Sequence, residues 1–482
     1  MVYPMTEQTK VLLIFAHRPR GVMAWPRSDY DYEGKKLEIL NKLEKLCPSM
    51  RFDAVTACFV EDAEKIFERI KEYDGVVIYL LGVGCPAPLL TLEKCDKPMI
   101  LVDEQYCGSG TFAVAYGWMI NERFPAVGVA SSRFQDVVDK VKLISVVKRL
   151  RDSKMIVVTP KGEKGYVVDD RWELLYGSGS KRFGGSGKTY DLAAQIKRIK
   201  NLFGIEVIKL GYRDVWRYFD EASIEEAESI ADRWMRDALR VVEPSREELV
   251  KSARIYLGLK KMIQDYEADA ITIDCYRRFE ELPAYPCLAF FQLNNDGLTA
   301  ICEADLSSTI TQLIIRYLTE ELTGEPRPGF VNDPVADFSR GWIIYCHCTA
   351  PSKVFGPSGE SSPYIIRSHA ESRAGAAIQS LMPMGEPVTA AQVHFMREPP
   401  LMVIHGGRSI CNVDLEDGCR TKLAAEAKVE TILSNWNRLG GWIAPAHWHR
   451  VIVYGDWRRH LRDLARLMKM DVLEEDVSSP PS

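Results

Sequence analysis

Apolar and polar positions alternate in blocks along the first third of the chain. VLLIFA (11–16) is a short apolar run bounded by Lys10 and His17, and a helix-period pattern follows near 34–46. FDAVTACF (52–59) leads into EDAEKIFERIKEY (61–73), while GVVIYLL (75–81) and PMILVD (98–103) are each trailed by a helix-like stretch. Strand and helix taken in turn predict parallel strands joined by crossover helices. MIVVTP (155–160) opens a second series, with helical patterns at 190–203, 223–239 and 245–266 and a strand at 268–274. Ser245 and Glu248 have the spacing of a capping box at the last of these helices.

The texture changes after 350. Pro, Gly and Ser rise through APSKVFGPSGESSP (350–363), and short alternating runs follow. This predicts an antiparallel β unit with turns. RVIVYGD (450–456) is a last strand and WRRHLRDLARLMKM (457–470) a last helix, with Leu461, Leu464, Leu467 and Met468 on one face and a solvated arginine face. EEDVSSPPS (474–482) is expected to be disordered. The expected fold is α/β: two Rossmann-like domains, 1–152 and 153–350, followed by an antiparallel β-barrel-like domain, 351–482.

Composition adds limits. With 482 residues and 46% hydrophobic content the chain fills two or three domains. A net charge of −5 without a long basic run argues against nucleic-acid binding. Twelve cysteines without a CxxC pair fit reduced thiols in the cytoplasm, and no apolar segment reaches membrane length. Of eight histidines only His17 precedes residue 347, so a site using histidine draws on the C-terminal third.

Several motifs invite chemistry and fail on their own terms. GVGCPA (82–87), with Asp103 about 20 residues on, has the outline of a dinucleotide loop. Pro86 and Pro88 remove amide donors where a pyrophosphate needs them, so a plain strand-to-helix turn is the better reading. GGSGKT (184–189) has Arg182 in place of the first glycine of a phosphate loop. No GxSxG is present. In Cys346-His347-Cys348, strand alternation turns His347 away from both thiols, which argues against a zinc site.

A more informative cluster lies further on. In DGLTAICEADLSSTITQLIIRYLT a strand ends near Glu303 and a helix starts near Leu306, with Asp305 where an N-cap is wanted. In GFVNDP a short apolar run ends at Asp333, and Pro334 is expected to stop it; on turn preference alone Asp333 reads as a turn residue. His447 and His449 share a side of an extended HWH. Two carboxylates with imidazole make a mixed site for a divalent ion such as Mn²⁺.

These segments, with IIYCHCTAP and AHWHRVIVYGDWRRHLRDLARLMKMDV, resemble the L-fucose isomerase and L-arabinose isomerase superfamily, as a shorter fucose isomerase-like member. The resemblance is strongest over about 270–350 and 440–472. It implies that Glu303 and Asp333 are catalytic carboxylates and metal ligands, and that His449 is a third ligand. It also implies that His347 orients substrate or metal, and that Arg18 in AHRPRG binds substrate. The implied reaction is aldose–ketose isomerisation of a free pentose, deoxyhexose or modified hexose through an enediol, in a homo-oligomer, trimer or hexamer. A metal-dependent sugar lyase or aldolase, a nicotinamide oxidoreductase using GVGCPA, and a silent sugar-binding homologue are the rival readings.

Overall fold

A computed structural model describes residues 8–160, 192–276, 279–438 and 448–478. The GGSGKT loop and His447 lie outside the described residues. The chain forms two compact units: residues to Arg151 with His460–Asp471, and Asp152–Arg459 with Val472 onward.

The first unit is built on five parallel strands, β1 (Thr9–Ala16), β2 (Met50–Thr56), β3 (Gly75–Leu80), β4 (Met99–Asp103) and β5 (Ala126–Ala130), in the order β2-β1-β3-β4-β5. Val11–Ala16 and Val76–Leu80 are buried throughout, as continuous apolar runs are when helices cover both faces of a sheet. The helix Arg458–Leu467 contributes Leu461, Leu464 and Leu467 as buried residues. Its buried Asp463 pairs with Lys140 on the helix Phe134–Asp152. Of its arginines Arg459 is exposed, while Arg458, Arg462 and Arg466 are half-buried.

The second unit opens with another parallel sheet. β6 (Lys154–Thr159), β7 (Glu206–Gly211), β9 (Ala270–Ile273) and β10 (Thr299–Cys302) stand in the order β10-β9-β6-β7. The short β8 (Arg240–Val241) pairs instead with β13 (Tyr364–Arg367), which also pairs β14 (Ala377–Ser380). Ser245 caps the helix Arg246–Asp265 by accepting from the Glu248 amide at 3.2 Å. The expected return bond gives way to a pair between Glu248 and Lys251 at 3.0 Å. The helix Leu306–Thr323 is buried on nearly all sides as far as Thr319, where the sequence suggested one apolar face. It runs under the sheet and the following strands, and stops at Gly324, whose φ of +80° is open to glycine at little cost.

Six further strands close into a ring: β11 (Phe330–Asp337), β12 (Trp342–His347), β15 (Pro387–His394), β16 (Leu401–Asn412), β17 (Thr421–Glu426) and β18 (Arg450–Tyr454). The circuit β15-β18-β11-β12-β17-β16-β15 is antiparallel at every step, and β19 (Asp471–Glu474) adds beside β16. Closure leaves the six strands without an open edge. The α/β plan with a terminal barrel-like sheet is therefore present. Its ring takes up β11 and β12, residues that the sequence reading assigned to the central domain.

Two local expectations are corrected. β11 does not stop at Pro334 but continues to Asp337, because β18 pairs only residues 330–332 and the missing amide falls beyond that ladder. The tail is not disordered at its start. Glu475 is fully buried, receiving His405 Nδ1 at 2.7 Å and Arg450 Nη2 at 2.6 Å, and Tyr345 Oη lies 2.8 Å from His405 Nε2. Tyr345, His405 and Arg450 come from three strands that are not neighbours, so they meet across the ring's interior.

Candidate metal centre

Glu303 follows the last residue of β10, where the chain must reverse into the helix Leu306–Thr323. Glu303 and Ala304 both lie in the left-handed region, at φ +66° and +50°. Such a conformation costs on the order of 1–3 kcal/mol per non-glycine residue and persists only when its surroundings hold it. The Ala304 amide donates to Ile273 O at 2.9 Å, tying the turn to β9. Asp305 then accepts from the Ser308 amide at 2.9 Å and caps the helix.

Four side chains converge at this turn and the adjoining rim of the ring. His449 Nε2 lies 3.3 Å from Asp333 Oδ1 and 3.9 Å from Glu303 Oε2. His347 Nε2 lies 3.7 Å from Glu303 Oε1, and the two imidazoles stand edge to face at 5.7 Å. Ligand atoms of Asp333, His347 and His449 all fall within 4.8 Å of one another. Adjacent donors around a small octahedral cation sit about 3 Å apart, given bonds of about 2.0–2.1 Å. The spacing is thus that of a loosely open cation site. Asp333 is 37% exposed and forms its accessible side, while His449 is 9% exposed.

A second group of donors joins Cys302 to Glu303 and His347. The Cys302 sulfur lies 3.7 Å from the His347 ring nitrogens, and burial pushes its thiol well above the ordinary range. The oxygen and nitrogen donors of Asp333, His347 and His449 form the other set. Carboxylate plus imidazole suits a divalent ion of the Mn²⁺ kind. His347 and Thr349 both lie beside Cys302, as strand alternation places them on one side.

Asp305 has a further part that its capping position hid. His449 Nδ1 lies 2.8 Å from Asp305 Oδ2, leaving Nε2 to face Glu303 and Asp333. A carboxylate behind a ligating histidine fixes its ring and raises its basicity. Burial opposes charge on His449, but Asp333 and Asp305 outweigh it and hold its pKa well above the usual imidazole range. Burial likewise opposes ionised Asp305 and Asp333, yet His449 and, for Asp305, Ser308 keep both below the ordinary carboxylate value. Asp305→Asn retains the cap, since asparagine caps as well. Where a divalent ion binds at His449, the change is expected to weaken its binding by about 10–100-fold, read by titration calorimetry with Mn²⁺. Unchanged affinity would leave Asp305 a cap alone.

His369 is a functional candidate that sequence reasoning passed over. It lies on the segment after β13, packed on Phe279 at 4.7 Å, and Phe279 stacks on Tyr285 at 4.2 Å. Burial, aided by His347, lowers its pKa to about 4, so the ring is neutral. Only the excess of histidines late in the chain pointed towards it. Arg18 belongs to the other compact unit, just past β1, where its Nε donates to Gly84 O at 3.0 Å.

GVGCPA forms the turn between β3 and the helix Ala87–Lys94. The Ala87 amide already donates to Cys58 O at 3.2 Å, which, with Pro86 and Pro88, leaves few donors for a phosphate.

No known family profile matches the chain. It is similar to the sulfoquinovose isomerases of Priestia aryabhattai and Priestia megaterium (strain ATCC 12872 / QMB1551), 25% identical over 285 residues in each case. The match spans 58% of this chain and 60% of each relative's length. Among solved structures, a LacI family transcriptional regulator from Bifidobacterium animalis subsp. lactis DSM 10140 overlays 65% of this chain and 90% of its own. The identity there is 11% and the TM-score 0.16, too low for a shared fold.

Proposed function

We propose that the chain is a metal-dependent aldose–ketose isomerase acting on a free sugar. One observation carries the reading: Glu303, Asp333, His347 and His449 converge on one point, with Asp305 bonded behind His449. The similarity to sulfoquinovose isomerases supports the same class and favours a modified hexose over a pentose or deoxyhexose.

Isomerisation moves one proton between C1 and C2 and another between O1 and O2. Glu303 and Asp333 both lie within 3.9 Å of His449 Nε2, so two carboxylates share the site. One takes and returns the carbon proton, and the other serves the oxygens. His347 holds the substrate's oxygen side. Glu303, Asp333 and His449 would hold the divalent ion, taken as Mn²⁺, which would supply Lewis-acid stabilisation of negative charge on the sugar oxygens. Among the described residues no helix is long and apolar enough to cross a membrane.

The test is a panel of aldoses, sulfoquinovose first, incubated with protein and Mn²⁺ in D₂O and followed by NMR. Ketose formation with solvent deuterium at C1 or C2 is expected, abolished by a chelator and restored by Mn²⁺. Carbon–carbon cleavage products would make the chain a lyase. Sugar binding without exchange would make it a binding protein, and isomerisation indifferent to chelation would remove the metal.

A further inference from the structure

All twelve cysteines are free thiols, but two of them almost touch. Cys58 Sγ and Cys85 Sγ are 2.9 Å apart in the first compact unit, at a separation of 27 residues. Ordinary nonbonded contact between carbon atoms already stands at about 3.5–4.0 Å, and sulfur is larger. A disulfide needs about 2.05 Å. The pair therefore lies much nearer to bonding than packing alone requires.

The backbone sets up this approach. Cys58 leaves β2 and Cys85 leaves β3, and in the sheet β1 runs between those strands, so the sulfurs meet past the end of β1. The Cys58 and Phe59 amides both donate to Asp62 Oδ2 at 2.9 Å, fixing the first turn. The second turn is fixed to the first by the bond from the Ala87 amide to Cys58 O. Pro86 restricts the residue beside Cys85 further. Both thiols are buried, at 4% and 3% exposure, in one apolar cluster. Burial, then the neighbouring sulfur, pushes the Cys85 thiol far up, so the pair rests as thiols until an oxidant reaches it.

We propose that Cys58 and Cys85 form an oxidisable dithiol, a modification site for small peroxide-class oxidants, whose closure pins the GVGCPA turn. One sulfur attacks a peroxide oxygen and breaks the O–O bond, and its thiol proton leaves with the departing hydroxide as one water, giving a sulfenic acid. The second sulfur displaces the hydroxyl of that sulfenic acid as another water and forms the S–S bond. Two thiols lose two hydrogens and two electrons, and one hydrogen peroxide becomes two waters. The turn so fixed carries Gly84, whose carbonyl holds Arg18 and whose φ of +75° sits one residue from Cys85. Oxidation thus acts on the segment that orients Arg18, independently of whether the isomerase reading holds.

The test uses the intact protein and hydrogen peroxide. The protein is treated, its remaining thiols are alkylated under denaturing conditions, and peptides are read by mass spectrometry before and after dithiothreitol. The expected product is a Cys58–Cys85 cross-linked peptide lighter by two hydrogens, reversed by dithiothreitol, with slower amide exchange at Gly84, Cys85 and Ala87. In Cys58→Ser the cross-link is lost and Cys85 carries oxygen adducts instead. The proposal is overturned if Cys58 and Cys85 stay alkylatable while other cysteines oxidise, or if each gains oxygen separately in the unmutated protein. The cross-link itself is measured without the variant, so a Cys58→Ser protein that fails to fold leaves the test standing.

Discussion

Glu303→Gln is expected to lower turnover by about 10²–10⁴-fold, the range that a positioned proton-transfer group contributes. Glutamine has the shape of glutamate, so the strained turn at residues 303–304 and the cap at Asp305 remain as they are. What disappears is the charge that can take a proton, together with one anionic oxygen facing His347 and His449. The readout is the rate of solvent deuterium entry into the sugar, with metal content measured in the same samples. A variant that loads Mn²⁺ normally and has lost exchange places Glu303 at the proton. A variant that loses both places it first at the metal. Full turnover with normal metal content would remove Glu303 from the chemistry.

Glu475→Gln is expected to lower stability by about 3–5 kcal/mol, the cost of taking one partner from a buried ionic group. On the order of 10 °C in Tm follows for a unit of this size. Arg450 would keep its charge within the ring and lose its carboxylate. The same group sets a pH limit. Burial opposes its charge, but Arg450 and His405 outweigh this and hold its folded pKa at about 2, against an ordinary value of 4.5. Depression of this kind stabilises the fold fully above the unfolded value and is lost as pH falls from there through about 2. Thermal melts from pH 7 to pH 3 should therefore converge for the two proteins as the pH drops. A constant gap would assign the loss to shape rather than charge.

The first α/β series was legible because parallel strands covered on both faces are apolar end to end. Val11–Ala16 and Val76–Leu80 show this directly. The helices Tyr212–Glu221 and Cys287–Asn295 were not read, the second because it is buried nearly all round and has no polar face to give a period. Glu303, Asp333, His347 and His449 are candidates from the sequence alone. Yet spacing along the chain could not say that they meet, since 146 residues separate Glu303 from His449. Asp305 was read only as a cap, because capping is local and its bond to His449 is not. Glu475 was lost in a tail whose composition looks unstructured. Its partners, His405 and Arg450, come from distant strands, and a single buried carboxylate leaves no mark on composition.

The helix that carries Asp463 reaches back across 323 residues to Lys140 and completes the unit that holds the first sheet. During synthesis, at about 5–20 residues per second, this leaves roughly 15–60 s in which the first sheet has emerged and its last helix has not. Through that interval the apolar surface awaiting Leu461, Leu464 and Leu467 stays open to other partners, chaperones included. The unit that starts first thus finishes almost last, and a ribosome stalled before residue 460 would hold it incomplete however long it waited.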